Sequence, residues 1–129
     1  MFWAVLAARV IVGGMFFVFG VNYFLGFLTV PPPPPDSPAS AYLKLLVGSH
    51  YLDVVKVLEI VGGAFVLSGR LVPLGLVLLT PVAVNVLLYE IFLLGVAGPG
   101  LGLTVLCGLL VWAYRSHFAA VFAVKPTIG

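Results

Sequence analysis

Four stretches of the chain are apolar for long enough to cross a bilayer as helices, and the polar positions fall mostly between them. A hydrocarbon core about 30 Å thick needs roughly 20 largely apolar residues in helical form. On that measure the pattern predicts spans over about 2–30, 51–69, 71–94 and 100–118. From Val10 the first carries no charge until Asp36. The third has Pro73 in its first turn, where a missing N–H costs nothing, and Pro81 well inside, where a kink and a freed Val77 carbonyl are expected. The fourth closes on WAYRSHF, an aromatic and basic end suited to a headgroup boundary.

One connection is long. Residues 30–50 read VPPPPPDSPASAYLKLLVGSH, in which five prolines form a stiff extended rod without donors. DSP then reads as a helix start with Ser37 as cap and Pro38 first, and Gly48 offers a stop. The helix so defined is too short to cross. It is expected to lie in the interface over the bundle, within a loop spanning 31–50, with Tyr42, Leu45 and Leu46 on one side.

Composition strengthens this picture. With 63% hydrophobic residues, 8% charged ones and a mean hydropathy of +1.27, the chain lies far from soluble proteins, where about a quarter of residues are charged. The expectation is an all-α fold: a single transmembrane domain over 1–129, a four-helix bundle with the short interfacial helix between its first two spans. Arg9 sits inside the first apolar run and no small-residue cleavage site follows it, so this segment reads as a retained anchor. Counting Lys and Arg near span ends favours both termini on the cytoplasmic side of a bacterial-type inner or cytoplasmic membrane, with Lys44 outside. Arg9, Arg70 and Arg115 gather at the inner boundary, where contact with anionic lipid is the default reading. A net charge of +2 is too small and too dispersed to suggest a nucleic-acid partner. The single cysteine, Cys107, excludes an internal disulfide or a paired-thiol centre within one copy.

Against this background the stretch VVKVLEIVGG, residues 54–63, raises the chemical question. Lys56 and Glu59 stand one turn apart, and Asp53 precedes them at the same spacing. A charge at the centre of a bilayer costs about 2.5 to 3.5 kcal/mol on insertion scales, so such groups are turned inward and paired. Counted by depth, Asn22, Tyr23, Asn85 and Glu90 fall at a similar level, in the outer half. These residues predict a polar pocket in which Asn22, Tyr23 and Asn85 are candidate donors to the Glu59 carboxylate. Two readings stay open: the charged pair serves packing alone, or it serves a ligand or a proton. Glu90, near the boundary, is expected to snorkel. Gly63 continues the charged face and would let a neighbouring helix approach closely. His50 and His117 fall on opposite sides of the membrane and cannot face each other as haem ligands, which leaves single pigment ligation as a minor option for either. No phosphate loop, serine-nucleophile motif or HExxH motif is present.

The run VKVLEIVGGAFVLSGRLVPLGLVLLTPVAVNVLLYEIFL resembles the middle of DoxX-like membrane proteins, through Glu59, Gly62, Gly63, Gly69, Arg70, Pro73, Leu74 and Asn85. Arg9, Gly13 and Gly20 are similar to the first helix of that family, and YRSHF at 114–118 to its closing segment. The resemblance implies a four-helix bundle and association with a membrane redox complex of the thiosulfate:quinone oxidoreductase kind. Of three functions the first is the expected one, with the others as alternatives. The first is a non-catalytic accessory subunit that packs against other membrane subunits of an electron-transfer complex. The second is a quinone-reactive oxidoreductase subunit using the outer polar pocket, and the third a small lipid- or solute-handling protein. Quinone or bound lipid is the corresponding candidate ligand.

Overall fold

A computed structural model describes residues 1–129, and every regular element in it is helical. Helix α1 runs Phe2–Leu25, α2 Pro38–Gly48, α3 Tyr51–Ser68, α4 Val72–Tyr89 and α5 Pro99–Ala113. A π-helical turn, Glu90–Leu94, extends α4, and a 3-10 segment, Arg115–Phe122, follows α5. Helices α1, α3, α4 and α5 pack as a ring: α1 touches α3 and α5, and α4 touches the same two.

The core is built by spacings of three and four. Ala8, Val12 and Phe16 of α1 meet Leu76, Leu79 and Ala83 of α4, Leu103, Cys107 and Leu110 of α5, and Val66 of α3. This is the period that stacks side chains on one helical face. Only 21 of 129 residues are buried, and apolar side chains such as Val57, Val77 and Val105 are half exposed or more. An outer surface of that kind is unfavourable in water and favourable in lipid. Phe2–Leu25 and Val72–Leu94 are long and apolar enough to cross a membrane. The α5 helix and its 3-10 extension make a third candidate, bent by 84°. Helix α3 has 18 residues but carries Asp53, Lys56 and Glu59.

Between α1 and α3 the backbones come close. A Cβ added to Gly63 would stand 2.8 Å from the Phe17 nitrogen and 2.9 Å from the Gly13 oxygen, so the close approach expected at Gly63 is met by α1. Gly13 and Gly20 face the same seam, where an added Cβ would meet Leu67 and Ile60.

Several boundaries differ from the sequence pattern. Helix α1 stops at Leu25, short of Val30, because Gly26 adopts a left-handed conformation (φ 68°) and donates to the Asn22 carbonyl. The fourth apolar stretch breaks after Ala113, where Arg115 folds back over the Trp112 ring at 4.5 Å and its Nη1 donates to the Trp112 carbonyl at 2.9 Å. That bond satisfies an end-of-helix acceptor and turns the chain away. Helix α4 is continuous through Pro81. The loop helix starts as expected: the Ser37 hydroxyl accepts from the Ser40 N–H at 3.1 Å, with Pro38 next. Leu45, however, points outward at 69% exposure, while Tyr42 and Leu46 line the cavity under the loop.

Candidate functional site

The first half of α3, the second half of α4 and the turn from Leu94 to Pro99 leave a space that the long loop covers. The result is a cavity of about 700 Å³. Its roof is the strap Val30–Pro34, and α2 supplies a wall through Tyr42, Leu43 and Leu46. Opposite stand Tyr51, Leu52 and Val55 of α3 with Val82, Val86 and Tyr89 of α4. Extended polyproline suits a roof of this kind, since it holds its shape without neighbours and has no N–H groups to leave unpaired. The size lies within the usual 300–1,000 Å³ of small-molecule sites, and the lining is mostly apolar with a few polar groups.

Those polar groups include the charged pair. Lys56 Nζ lies 3.3 Å from Glu59 Oε1, with side-chain exposures of 20% and 7%. Both residues line the cavity, Glu59 a turn deeper along α3. The second carboxylate oxygen makes no hydrogen bond within the protein, and Glu59 lines the cavity. The floor thus offers an acceptor and unused ammonium donors side by side. Asn85 joins them on the wall. Its Nδ2 donates to the Pro81 carbonyl at 2.9 Å, one turn back along α4.

Of the six residues expected at a polar pocket, Lys56, Glu59 and Asn85 come together here, and three do not. Asn22 turns away from Glu59 and clasps Leu28, accepting from its N–H at 2.6 Å and donating to its carbonyl at 3.2 Å. The clasp is local, and it sets the direction in which the strap leaves α1. Tyr23 donates to Asp53 Oδ1 at 2.6 Å, tying α1 to α3 at the cavity end, and His50 Nδ1 lies 2.9 Å from the other oxygen of that carboxylate. Lys56 Nζ stands 6.0 Å from the Tyr23 ring centroid. None of the expected donors reaches Glu59.

Glu90 departs furthest from expectation. It is buried, not snorkelling, and its Oε1 accepts from the N–H groups of Gly98 at 3.1 Å and Gly100 at 2.8 Å. A carboxylate there satisfies the unpaired donors at the start of α5 and complements the positive end of its dipole. The π-helical turn that Glu90 opens brings the chain back for this contact. Its role is to seat α5.

The three arginines divide as well. Arg70 and Arg115 are exposed, as lipid contact requires. Arg9 is half-buried, and its Nε donates to the Val66 carbonyl at 3.1 Å, so it fastens α1 to the last turn of α3. His50 begins α3 beside the cavity and His117 follows α5 at the other end of the bundle, so the two are far apart in the fold. No group of three metal-ligating side chains occurs, and Cys107 is buried in the core.

No family model, curated protein or solved structure matches the chain.

The cavity-lining aromatic residues Tyr42, Tyr51 and Tyr89 were not among the expected site residues. Tyrosines near span ends read as interface anchors in sequence. Their convergence depends on how the strap returns over α3 and α4, for which the pattern of prolines carries no signal.

Proposed function

We propose that the chain is a DoxX-like integral membrane protein in which α1, α3, α4 and α5 each cross the bilayer, with both termini cytoplasmic, and that it holds a small amphiphilic molecule in the cavity beneath the proline strap. The protein is non-catalytic on its own. The observation that carries this reading is the cavity of about 700 Å³ with an ion pair on its floor and apolar walls. Intramembrane ionisable groups mark ligand and proton pathways by default, and here the carboxylate has one oxygen without a protein partner on a cavity-lining residue. A buried ion pair adds little to stability over apolar replacements, so its presence favours a use beyond packing.

The accessory-subunit reading is supported by a different surface. The tight glycine faces of α1 and α3 are consumed inside the molecule, but nothing lies within 4 Å of a Cβ placed on Gly102 or Gly108 of α5. The two lie on different flanks of α5, and either one would let a neighbouring helix come close. The two readings are compatible if a ligand-holding subunit docks on a larger complex through α5.

The test uses the protein in polymer-bounded native nanodiscs, titrated with fractions of a total lipid extract. A fraction that raises the melting temperature of the wild type and not of Leu46→Trp, in which the indole fills the space between strap and wall, is the expected result. Equal response of both proteins to every fraction would remove the cavity from the account.

A further inference from the structure

The two ends of the bundle differ in charge. Asp53, Glu59 and Glu90 lie towards the end that carries the cavity, and Asp36 sits in the loop beside it. The opposite end is formed by the start of α1, the turn from α3 to α4 and the close of α5, and it holds Arg9, Arg70, Arg115 and Lys125 with no Asp or Glu. The ion pairs of the protein are Lys56–Glu59 and His50–Asp53, both at the cavity end. The four cations of the other end therefore have no anionic partner in the chain.

At that same end the chain turns. The 3-10 segment Arg115–Phe122 leaves α5 at 84°, so with α5 near the membrane normal it runs close to the membrane plane. Residues three apart eclipse one another in a 3-10 helix, which puts Arg115, Phe118 and Val121 in one row. Phe118 packs against the core cluster, so the row faces the bundle. Val121, next in the row, is 75% exposed, as a side chain is where the row has run past the bundle's edge. Phe122 beside it is exposed as well, an aromatic ring suited to the headgroup level.

We infer that Arg115–Phe122 is an in-plane foot seated on the bilayer surface, with Val121 turned into the acyl region and Arg115 and Lys125 holding the phosphates of lipids whose headgroups carry net negative charge. This is independent of the cavity and rests on α5 being a span. An apolar row flanked by cations is the pattern of helices that lie in the interface. The sign of the headgroup follows from the missing carboxylates: a zwitterionic lipid brings its own ammonium for each phosphate, whereas an anionic one leaves its charge for the protein to meet. Arg115 is already held in place for this. The Trp112 ring lies 4.5 Å from its guanidinium and the Trp112 carbonyl accepts from its Nη1 at 2.9 Å, while its other N–H groups make no hydrogen bond within the protein. A fixed guanidinium with free donors suits a phosphate.

The experiment places single nitroxides by Val105→Cys, Ala120→Cys and Val121→Cys in the Cys107→Ser background of the whole chain. Each protein is reconstituted in vesicles of phosphatidylcholine, alone or with a quarter of phosphatidylglycerol. Collision with oxygen, which concentrates among the acyl chains, is compared with collision with a polar nickel chelate present on both sides. With phosphatidylglycerol present, the oxygen-to-nickel ratio at Val121 is expected to exceed that at Ala120, on a different row of the segment, at least fivefold. In phosphatidylcholine alone it is expected to fall at least threefold, and Arg115→Gln combined with Lys125→Gln is expected to abolish that lipid dependence. Equal ratios at Val121 and Ala120 would overturn the foot. The same ratio in both lipids would overturn the anionic headgroup, and a lipid dependence that survives the double change would overturn the assignment of the two cations. Loss of collision with both reagents at Val121 would show a second copy covering it and overturn the lipid surface as partner. Nickel access at Val105, near the middle of α5, would overturn the span and the foot with it.

Discussion

Lys56 and Glu59 hold each other at 3.3 Å within α3, and the face they share is the floor of a cavity. Each charge is tolerable because of the other. Glu59→Leu leaves the ammonium without its partner, whereas Lys56→Met together with Glu59→Leu removes both charges. The single change is expected to cost about 3 kcal/mol of stability and the double change clearly less. Thermal unfolding in nanodiscs measures this, and strictly additive losses would show that the two side chains are not coupled.

Glu90 makes a contrasting case, a carboxylate with no cation near it. Its bonds to the Gly98 and Gly100 N–H groups hold the start of α5. Glu90→Leu strands both donors and is expected to cost about 2 to 3 kcal/mol. Glu90→Gln keeps an acceptor oxygen and is expected to lose less than half of that. Faster hydrogen exchange at Gly100 to Leu103 in the leucine variant, with the amides of α1 unchanged, is the accompanying sign.

The α1–α3 seam predicts a pair of glycine variants with opposite outcomes. A methyl at Gly63 meets backbone atoms at 2.8 and 2.9 Å, which cannot move aside as a flexible side chain can. Gly63→Ala is expected to destabilise by about 2 kcal/mol through overpacking. Gly14 has nothing within 4 Å of an added Cβ. Gly14→Ala is expected to be neutral or to gain about 0.5 kcal/mol from the lower conformational entropy of the unfolded chain. Melting temperatures of the two variants decide it.

The proposed four crossings would put both termini on one side and the proline strap on the other. In a Cys107→Ser background, Ser40→Cys is expected to react with an impermeant maleimide on intact cells, and Thr127→Cys only after the membrane is opened. Reaction of Thr127→Cys alone would invert the orientation. Reaction of both on intact cells would mean an even number of crossings between them, against the three proposed.

How much of this could be read from the residues depends on how far each contact reaches. The helices were legible because apolar runs and the three- and four-residue spacing of the core are local patterns, as in Leu76, Leu79 and Ala83. The Lys56–Glu59 pair was legible for the same reason, and so was the cap at Ser37. The partners of Asn22, Tyr23 and Glu90 were not. Asn22 is used by the backbone of Leu28 just beyond a left-handed glycine. Tyr23 is used by Asp53 on a different helix, and Glu90 by amides that return to it only after a π-helical turn. In each case a polar side chain counted as available at a given depth was already taken by a donor or acceptor that only the chain's path supplies. The roof of the cavity belongs to the same class, since five prolines specify a stiff rod and not where it lies.

The most direct test of the cavity as a ligand site uses Asn85, which lines its wall on α4. Asn85→Cys in the Cys107→Ser background, extracted in native nanodiscs, is analysed by native mass spectrometry before and after reaction with N-ethylmaleimide. One small-molecule adduct per chain before modification, lost when the maleimide occupies the cavity, is the result this account predicts. The same adduct population after complete modification, or no adduct in the unmodified protein, would contradict it.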